Sequence, residues 1–249
     1  MKVIINTAVF GNQIPNKMTQ VQAVQQLAGL PIDGIQVRSE LFNPATMNKE
    51  LSLIREVCYQ NNWKFYLSVA HDFFDASQIN GQIFDYLRLA KDYDLDELKF
   101  SWGKQPVIDD GLEHSLKEVF CQGMLVELEN QPNKYGRLSV IESNFKHLFG
   151  HSVRIGYCFD SGNWRWIEED SMRAFEHLLP QITTFHLKNI INQKNVELSR
   201  LGEYNWQLMV SRLPAEIPVV IEYAIPSMNK LLVDINMIRE IGVKGVDNK

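Results

Sequence analysis

The stretch RIGYCFDSGNWRW, residues Arg154–Trp166, decides the fold. Apolar residues suited to a buried strand run up to Asp160, and the chain then changes abruptly to Ser161, Gly162 and Asn163, which favour a turn. Functional side chains of parallel α/β proteins lie at the carboxyl ends of their strands. The stretch therefore predicts a carboxylate that is held for binding at the edge of a buried sheet.

Three further strand-like runs also place an ionisable residue at or near their carboxyl end. They are LVELEN at Leu125–Asn130 with Glu129, ITTFHL at Ile182–Leu187 with His186, and VVIEY at Val219–Tyr223 with Glu222. Three carboxylates and one imidazole form an oxygen-rich ligand set that suits Mn²⁺ or Mg²⁺ and also permits Zn²⁺ or Co²⁺. We therefore expect one divalent cation to be shared by Glu129, Asp160, His186 and Glu222.

Short apolar runs alternate with longer amphipathic segments along the whole chain. The predicted strands are Lys2–Asn6, Gly34–Arg38, Lys64–Val69, Glu97–Phe100, Leu125–Glu129, Arg154–Phe159, Gln181–Leu187 and Pro218–Tyr223. Apolar residues three and four apart predict helices at Met18–Ala28, Leu51–Asn61, Ile83–Tyr93, Leu112–Cys121, Leu138–Phe149, Ser171–Leu179, Asn205–Leu213 and Met228–Ile241. Eight such pairs in 249 residues, with no linker and no glycine-rich phosphate loop, favour an α/β fold with a single (β/α)8 TIM barrel over residues 1–249 rather than a doubly wound sheet.

Alternation within the strands indicates which side chains face the barrel interior. In the second strand, Gln36, Arg38 and Glu40 share one face, while Ile35 and Val37 share the other. The later strands follow the same alternation, so the polar face is expected to point inward and the apolar face toward the helices. Charged groups inside a barrel are costly unless they are paired, hydrated or bound to a metal, so their position near the strand ends predicts a functional site.

Composition limits the classes of partner. The chain has 45% hydrophobic and 22% charged residues, as expected of a globular protein, and a formal net charge of −5. Without a cluster of Lys and Arg, no nucleic-acid partner is expected. The three cysteines have no metal-type spacing. The amino-terminal segment turns polar too early for a signal peptide, and no run approaches the ~20 apolar residues of a membrane helix, so we expect a soluble, cytoplasmic protein with no membrane partner.

Each candidate ligand also has a structural explanation when it is taken alone. His186 in an apolar strand could be a hydrogen-bonded core histidine, and Glu222 could be half of an ion pair. The order of the four residues favours the metal interpretation, because they end the fifth to eighth predicted strands consecutively. Closure of a barrel places such neighbours on one arc of its mouth.

Seven short phrases in order along the chain resemble the xylose-isomerase-like barrels, a superfamily of sugar and sugar-phosphate isomerases and epimerases that also includes type IV apurinic endonucleases. The phrases are GIQVRSE (Gly34–Glu40), LKFSWG (Leu98–Gly103), VELENQ (Val126–Gln131), GYCFDSGNW (Gly156–Trp164), FHLKN (Phe185–Asn189), LGEYNW (Leu201–Trp206) and VIEY (Val220–Tyr223). The resemblance implies metal ligation by Glu129, Asp160, His186 and Glu222. It further implies that Glu129 and Glu222 move protons, as the first and last glutamates do in ketose 3-epimerases.

This resemblance implies proton abstraction next to the carbonyl of a small sugar or sugar phosphate. A divalent cation acts as a Lewis acid toward the enediolate that forms, and two carboxylates take and return the proton. Many relatives have a histidine where this chain has Asn163, which could instead hydrogen-bond a substrate hydroxyl. Since relatives often associate through barrel helices, a homo-oligomer is also compatible with the resemblance.

Further polar side chains are candidates for substrate binding: Arg38, Glu40, His71, Lys99, Asn163 and Lys188. Arg38, Lys99 and Lys188 could bind an anionic end of the substrate, but Lys99 could equally neutralise Glu127, and Arg38 could pair with Glu40. His71 at the end of the third predicted strand has inward parity and could contact substrate or make a structural hydrogen bond. Aromatic residues after strands could stack on a sugar or simply cover the rim; they are Phe73, Trp102, Trp164 and Trp166.

Two other functions compete with an isomerase or epimerase. An endonuclease of the same superfamily needs three zinc ions and additional histidines, whereas this chain has Asn163 and no histidine in Ile191–Tyr204. A barrel that binds a sugar phosphate without catalysis is the second alternative, because a fold does not determine a function.

Overall fold

Eight parallel strands close into a barrel in a computed structural model that describes residues 1–121, 123–198 and 202–246. The barrel strands are β1 (Val3–Asn6), β2 (Gly34–Arg38), β3 (Lys64–Asp75), β4 (Glu97–Lys104), β5 (Leu125–Glu129), β6 (Gly156–Asp160), β7 (Thr184–Leu187) and β8 (Val219–Ile221). Each strand pairs with its neighbours in sequence, and β8 pairs with β1 to complete the ring. The predicted TIM barrel is confirmed.

Helices connect consecutive strands around the outside of the barrel. They are α1 (Gln20–Gln26), α2 (Met47–Asn61), α3 (Gln82–Asp92), α4 (Asp110–Phe120), α5 (Leu138–Gly150), α6 (Asn163–Trp166), α7 (Ser171–Leu178), α8 (Trp206–Arg212) and α9 (Met228–Val246). Local caps set several of their starts: Thr19 forms a capping box with Gln22 before α1, and Asp109 and Asp170 cap α4 and α7. None of the described helices is long and apolar enough to cross a lipid bilayer.

The structure corrects several predicted boundaries. β3 and β4 extend beyond the predicted Val69 and Phe100 and remain paired, with a shift of register between Val69 and Asp72. The strand predicted from Gln181 starts at Thr184, because Leu179–Gln181 form a 3₁₀ turn around Pro180. Elements that were not predicted include a 3₁₀ helix at Thr7–Gln13, the short helix α6, and a hairpin made by Ile190–Ile191 and Lys194–Asn195.

The barrel interior contains both polar and apolar side chains. Inside the barrel, Ile4, Tyr66 and Val220 form a small apolar cluster that is separate from the main core. Buried polar side chains share the interior with it, among them Gln36 and Glu97, which are hydrogen-bonded at 3.2 Å. The apolar faces of the strands pack outward against the helices and form the main core. The predicted inward polar face is therefore present, together with a few apolar side chains.

Candidate metal centre and active site

Four consecutive strands bring their ionisable side chains to one point at the carboxyl end of the barrel. Glu129 and Asp160 are the last residues of β5 and β6, His186 lies in β7, and Glu222 follows β8 directly. Asp160 pairs with His186 in the register of β6 and β7, so that both side chains point inward at the same level. One ligand atom from each of the four residues lies within 4.8 Å of the other three, and all four residues are buried. The constellation predicted from the sequence is assembled.

The imidazole of His186 lies at the centre of this group. Its Nδ1 is 2.8 Å from Glu222 Oε2 and 3.1 Å from Glu129 Oε1. Although burial disfavours the imidazolium, the carboxylates of Glu222 and Glu129 outweigh burial and raise the pKa of His186 to about 9. The other ring nitrogen, Nε2, is buried and has no hydrogen-bond partner among the described residues.

Three cationic side chains contact the carboxylates of the group. Lys99 Nζ lies 2.6 Å from Glu129 Oε2. Lys188 Nζ lies 2.5 Å from Asp160 Oδ2 and 3.2 Å from Glu222 Oε2. The guanidinium of Arg38 donates through Nη1 to Glu222 Oε1, and its Nε lies 2.6 Å from Glu40 Oε1. Every carboxylate of the constellation is therefore paired with a cation of the chain.

These ion pairs keep the two glutamates ionised despite their burial. Burial disfavours the charged form of Glu129, but the Lys99 ammonium and the His186 imidazole lower the pKa of this carboxyl to about 2. Burial acts on Glu222 in the same way, and Lys188, His186 and Arg38 hold its pKa well below the ordinary value. Both residues are consequently available as bases or as anionic ligands at neutral pH.

Asp160 is oriented by its own backbone and by Asn130. Its Oδ1 accepts the N–H groups of Gly162 and Asn163 at 2.8 and 2.9 Å, so that the other oxygen, Oδ2, turns toward Lys188 and the constellation. The side chain of Asn130 accepts the Asp160 N–H at 2.8 Å and donates to the Asp160 carbonyl at 3.1 Å. Two adjacent strand ends are thereby locked together.

The arrangement of donors fits a divalent cation. Glu129 Oε1 and Glu222 Oε2 lie 3.1 and 2.8 Å from His186 Nδ1, and one oxygen of Asp160 lies within 4.8 Å of the other donors. Ligands of one small cation lie roughly 3 to 4 Å apart when each is about 2.1 Å from the metal. Lys99 and Arg38 contact Glu129 Oε2 and Glu222 Oε1, whereas Lys188 contacts Asp160 Oδ2 and Glu222 Oε2. The chemistry of three carboxylates and one imidazole matches the predicted preference for Mn²⁺ or Mg²⁺.

The predicted substrate-binding residues separate into two groups. Arg38, Glu40, Lys99 and Lys188 lie at the constellation or one contact away from it. The alternative in which Lys99 neutralises Glu127 is wrong, because the Lys99 ammonium contacts Glu129 instead. The alternative pairing of Arg38 with Glu40 is present and coexists with the contact to Glu222.

Asn163 and His71 make other contacts. Asn163 is buried, and its Nδ2 donates to the backbone carbonyl of Asn130 at 2.8 Å, so its amide supports the scaffold around Asp160. His71 lies in the irregular part of β3, with its ring 5.9 Å from that of Tyr86 on α3. The expected inward orientation of His71 is wrong, because the register shift between Val69 and Asp72 interrupts the alternation of the strand.

The aromatic residues that could have stacked on a sugar are mostly core residues. Phe73, Trp102 and Trp164 are fully buried, and Trp102 packs edge-on against Phe145 at 5.0 Å. Trp166 is the exception, with 42% of its surface exposed. Phe73 and Trp102 belong to the extensions of β3 and β4 beyond their predicted ends, where both side chains pack outward.

Two residues near the constellation were missed at the level of sequence. Cys158 faces the interior two residues before Asp160, and its Sγ lies 4.0 Å from Glu129 Oε1. With Glu129 and His186 it forms a second, overlapping group of possible metal ligands among the described residues. Because Cys158 is two residues before Asp160 in the same strand, the alternation of side chains could have predicted that both face the interior. Asn130, by contrast, follows β5, and only the observed loop geometry reveals its two bonds to Asp160.

Structural comparison identifies the barrel type. No family model matches the sequence, and no curated protein matches it either. Among solved structures, a xylose isomerase domain containing protein from Salmonella typhimurium superposes with a TM-score of 0.67 at 10% identity, covering 97% of both chains. The protein shares the barrel fold of that structure.

Two further solved structures match over nearly their full length. One is the probable 3-DHS dehydratase involved in petrobactin synthesis from Bacillus anthracis, with a TM-score of 0.66, 15% identity, and coverage of 95% of this chain and 97% of that one. The other is D-psicose 3-epimerase from Clostridium cellulolyticum H10, with a TM-score of 0.63, 12% identity, and coverage of 99% and 97%. Identities this low establish a common fold, and the function must be argued from the site.

Proposed function

We propose that this protein is a divalent-metal-dependent sugar isomerase or epimerase that moves a proton on the carbon next to a carbonyl. The observation that carries the proposal is the convergence of Glu129, Asp160, His186 and Glu222 at the carboxyl ends of four consecutive strands. The similarity to barrels named as a sugar epimerase and a dehydratase supports the same class of chemistry.

The chain's own residues supply two bases and a charged frame. Glu129 and Glu222 flank the His186 ring, and their lowered pKa values keep both ionised at neutral pH, the form that a general base must have. One glutamate removes the proton from carbon, and either the same or the other glutamate returns it. When bound, a divalent cation supplies Lewis-acid stabilisation of the enediolate oxygens. Arg38, Lys99 and Lys188 orient the carboxylates and add positive charge at the same place.

A metal-dependent endonuclease fits less well. The enzymes of the superfamily that cut DNA need extra histidines, and Ile191–Tyr204 contains none, although Ser199–Leu201 lie outside the described residues. The net charge of −5 also disfavours binding to a polyanion.

A barrel that binds sugar without catalysis is the second candidate, and one observation favours it. Each carboxylate of the constellation already has a cationic partner in the chain, as in a purely structural charge network. Such a protein binds its ligand but exchanges no proton on carbon. The two candidates therefore differ in a property that can be measured directly.

Deuterium uptake from solvent separates them. The Mn²⁺-loaded protein is incubated in D₂O with a panel of ketoses, keto sugar acids and sugar phosphates, and deuterium on carbon is followed by NMR. We expect uptake into at least one compound, with Glu129→Gln and Glu222→Gln each slowing it by roughly 10²- to 10⁴-fold. The exposed Glu216→Gln is the matched control and should leave the rate unchanged. Full rates in both glutamate variants would remove Glu129 and Glu222 from the chemistry, and no uptake by the loaded wild type would contradict the proposal.

A further inference from the structure

The constellation contains as many fixed positive charges as carboxylates. Lys99 is 4% exposed, and the side chains of Lys188 and Arg38 are 15% and 25% exposed. Each contacts a carboxylate of the group directly. Buried cations are costly to retain unless their charge is used, so three at one site require a physical explanation.

Charge balance changes when the proposed cation is bound. The carboxylates of Glu129, Asp160 and Glu222 together offset the positive charges of Arg38, Lys99 and Lys188. A metal-bound imidazole is neutral, so a divalent cation leaves two uncompensated positive charges in a buried site. Glu40 on Arg38 offsets one of them, and its side chain is 34% exposed to solvent, which screens its effect. The loaded site therefore favours a ligand that brings negative charge with it.

The position of the cations determines where that negative charge must lie. All three contact the ligand carboxylates at hydrogen-bonding distance, so the excess positive charge is concentrated at the metal centre. The anionic group of the substrate must then be adjacent to the reacting carbonyl. A carboxylate on the neighbouring carbon satisfies this requirement, whereas a phosphate at the far end of a six-carbon chain lies several bonds away.

We propose that the substrate is a sugar acid whose carboxylate lies next to the reacting carbonyl and is bound by the site that Arg38, Lys99 and Lys188 make electropositive. This inference rests on the proposed function and specifies its substrate class. It assigns Lys99 a role in specificity. Because the Lys99 ammonium neutralises Glu129, the positive charge of the bound cation can attract the substrate carboxylate.

The test is a binding measurement with two matched probes. D-gluconate and D-glucitol have the same six-carbon polyhydroxy chain and differ in the carboxylate. Each is titrated calorimetrically into the Mn²⁺-loaded protein, with a blank titration into Mn²⁺ alone. We expect D-gluconate to bind at least tenfold more tightly than D-glucitol. By reciprocal linkage, D-gluconate should also raise the affinity for Mn²⁺ by the factor by which Mn²⁺ raises the affinity for D-gluconate.

A third probe and one variant make the test specific. D-glucitol 6-phosphate carries its charge at the far end and should bind more weakly than D-gluconate. Lys99→Met, which keeps the length of the side chain and removes its charge, should weaken D-gluconate binding at least tenfold more than it weakens D-glucitol binding, with both measured at saturating Mn²⁺. Circular dichroism shows whether this variant is folded. The comparison of D-gluconate with D-glucitol on the wild-type protein does not depend on the variant.

The outcomes separate this inference from the proposed function. Three results would overturn the sugar-acid inference. They are equal affinity for D-gluconate and D-glucitol, tighter binding of D-glucitol 6-phosphate than of D-gluconate, and no detectable binding of D-gluconate. Deuterium uptake into neutral ketoses alone would overturn it while leaving the proposed function intact. Selective binding of D-gluconate without deuterium uptake into any compound would support an anion-selective site and contradict catalysis.

Discussion

Asn130 shows how a residue that is not itself a ligand can determine the geometry of the site. It holds both the N–H and the carbonyl of Asp160, and its own carbonyl accepts the amide of Asn163. These bonds fix the strand end from which Asp160 Oδ2 points into the constellation. Residues that orient metal ligands in this way commonly change metal affinity 10- to 100-fold when they are replaced.

Replacing Asn130 should therefore weaken metal binding without removing a ligand. We expect Asn130→Ala to lower the affinity for Mn²⁺ by roughly 10- to 100-fold, as measured from the free Mn²⁺ signal in electron paramagnetic resonance. Asn133→Ala is the control, because the Asn133 side chain caps a nearby 3₁₀ turn, where it accepts the Tyr135 N–H. Identical Mn²⁺ affinities in the two variants would show that Asn130 has no positioning role.

Glu97 is a buried acid that lies below the metal centre and is not one of the proposed ligands. It is fully buried, its Oε1 accepts from Gln36 Nε2 at 3.2 Å, and its Oε2 lies 3.3 Å from Thr184 Oγ1. Burial, reinforced by the neighbouring Glu127, raises the pKa of Glu97 well above its ordinary value of 4.5. Above pH 4.5 the folded protein thus keeps a proton that the unfolded chain has lost, and stability falls as the pH rises toward the folded pKa.

Glu97→Gln removes this pH dependence because glutamine resembles the protonated acid in shape. The variant should gain stability over the wild type as the pH increases from 5 to 7, by up to ~1.4 kcal/mol per pH unit for a single group. Urea unfolding at both pH values measures the difference, and the exposed Glu56→Gln serves as the control. A difference between Glu97→Gln and wild type that stays constant with pH would mean that Glu97 is ionised in the folded protein.

At this scale the sequence predicted residue identities better than pairings. Glu129, Asp160, His186 and Glu222 were identifiable because each ends an apolar run, a signal that is local in sequence. The partner of Lys99 depends on the height of each side chain within the barrel, which parity alone does not specify. Neutralisation of Glu127 was therefore left open as an alternative to ligand contact, and the structure has Lys99 on Glu129. The contacts of Asn163 and Asn130 are made through a turn whose geometry has no pattern in the sequence.

At the scale of elements, β6 links the metal centre to an aromatic cluster on the outside of the barrel. Phe159 precedes Asp160 and faces the other way, with its ring stacked on Phe185 of β7 at 5.7 Å and tilted against Trp164 at 5.6 Å. Phe175 of α7 completes the contact edge-on at 5.7 Å. The packing behind the strands fixes the level at which Asp160 and His186 emerge in front.

Truncating the centre of this cluster should cost stability in proportion to its burial. We expect Phe159→Ala to lower the free energy of unfolding by about 3 to 5 kcal/mol, since the side chain is fully buried and leaves a cavity. Tyr59→Ala, at a side chain that is 89% exposed, should change it by less than ~0.5 kcal/mol. Urea unfolding compares the two, and a similar cost for both would contradict the proposed packing.

The elements whose ends were mispredicted share a physical reason. β3 and β4 continue past their apolar cores because they pair with each other across a register shift, a contact between segments about 30 residues apart that has no local signal. The position of His71 follows from that shift. The starts of α1 and α4 were within two residues of the prediction, and in the structure the side chains of Thr19 and Asp109 cap them.

At the scale of the whole molecule, closure of the barrel converts order along the chain into proximity in space. The proposed ligands come from β5 to β7 and from the residue after β8. Arg38 at the end of β2 contacts Glu222, because β1 pairs with both β8 and β2 and so brings these two strands close together. The alternation of strands and helices predicted this closure, and with it the position of the constellation. It did not predict that chain cations would pair with every carboxylate, because those contacts depend on side-chain conformations across the closed interior.

The most direct test of the account is the anomalous diffraction of Mn²⁺ in crystals of the wild-type protein. We predict one strong anomalous peak per chain, at roughly 2.0 to 2.3 Å from Glu129, Asp160, His186 and Glu222. A peak bound elsewhere, or no peak at saturating Mn²⁺ with Lys99 still on Glu129 and Lys188 still on Asp160, would contradict the claim that these four side chains hold a catalytic cation.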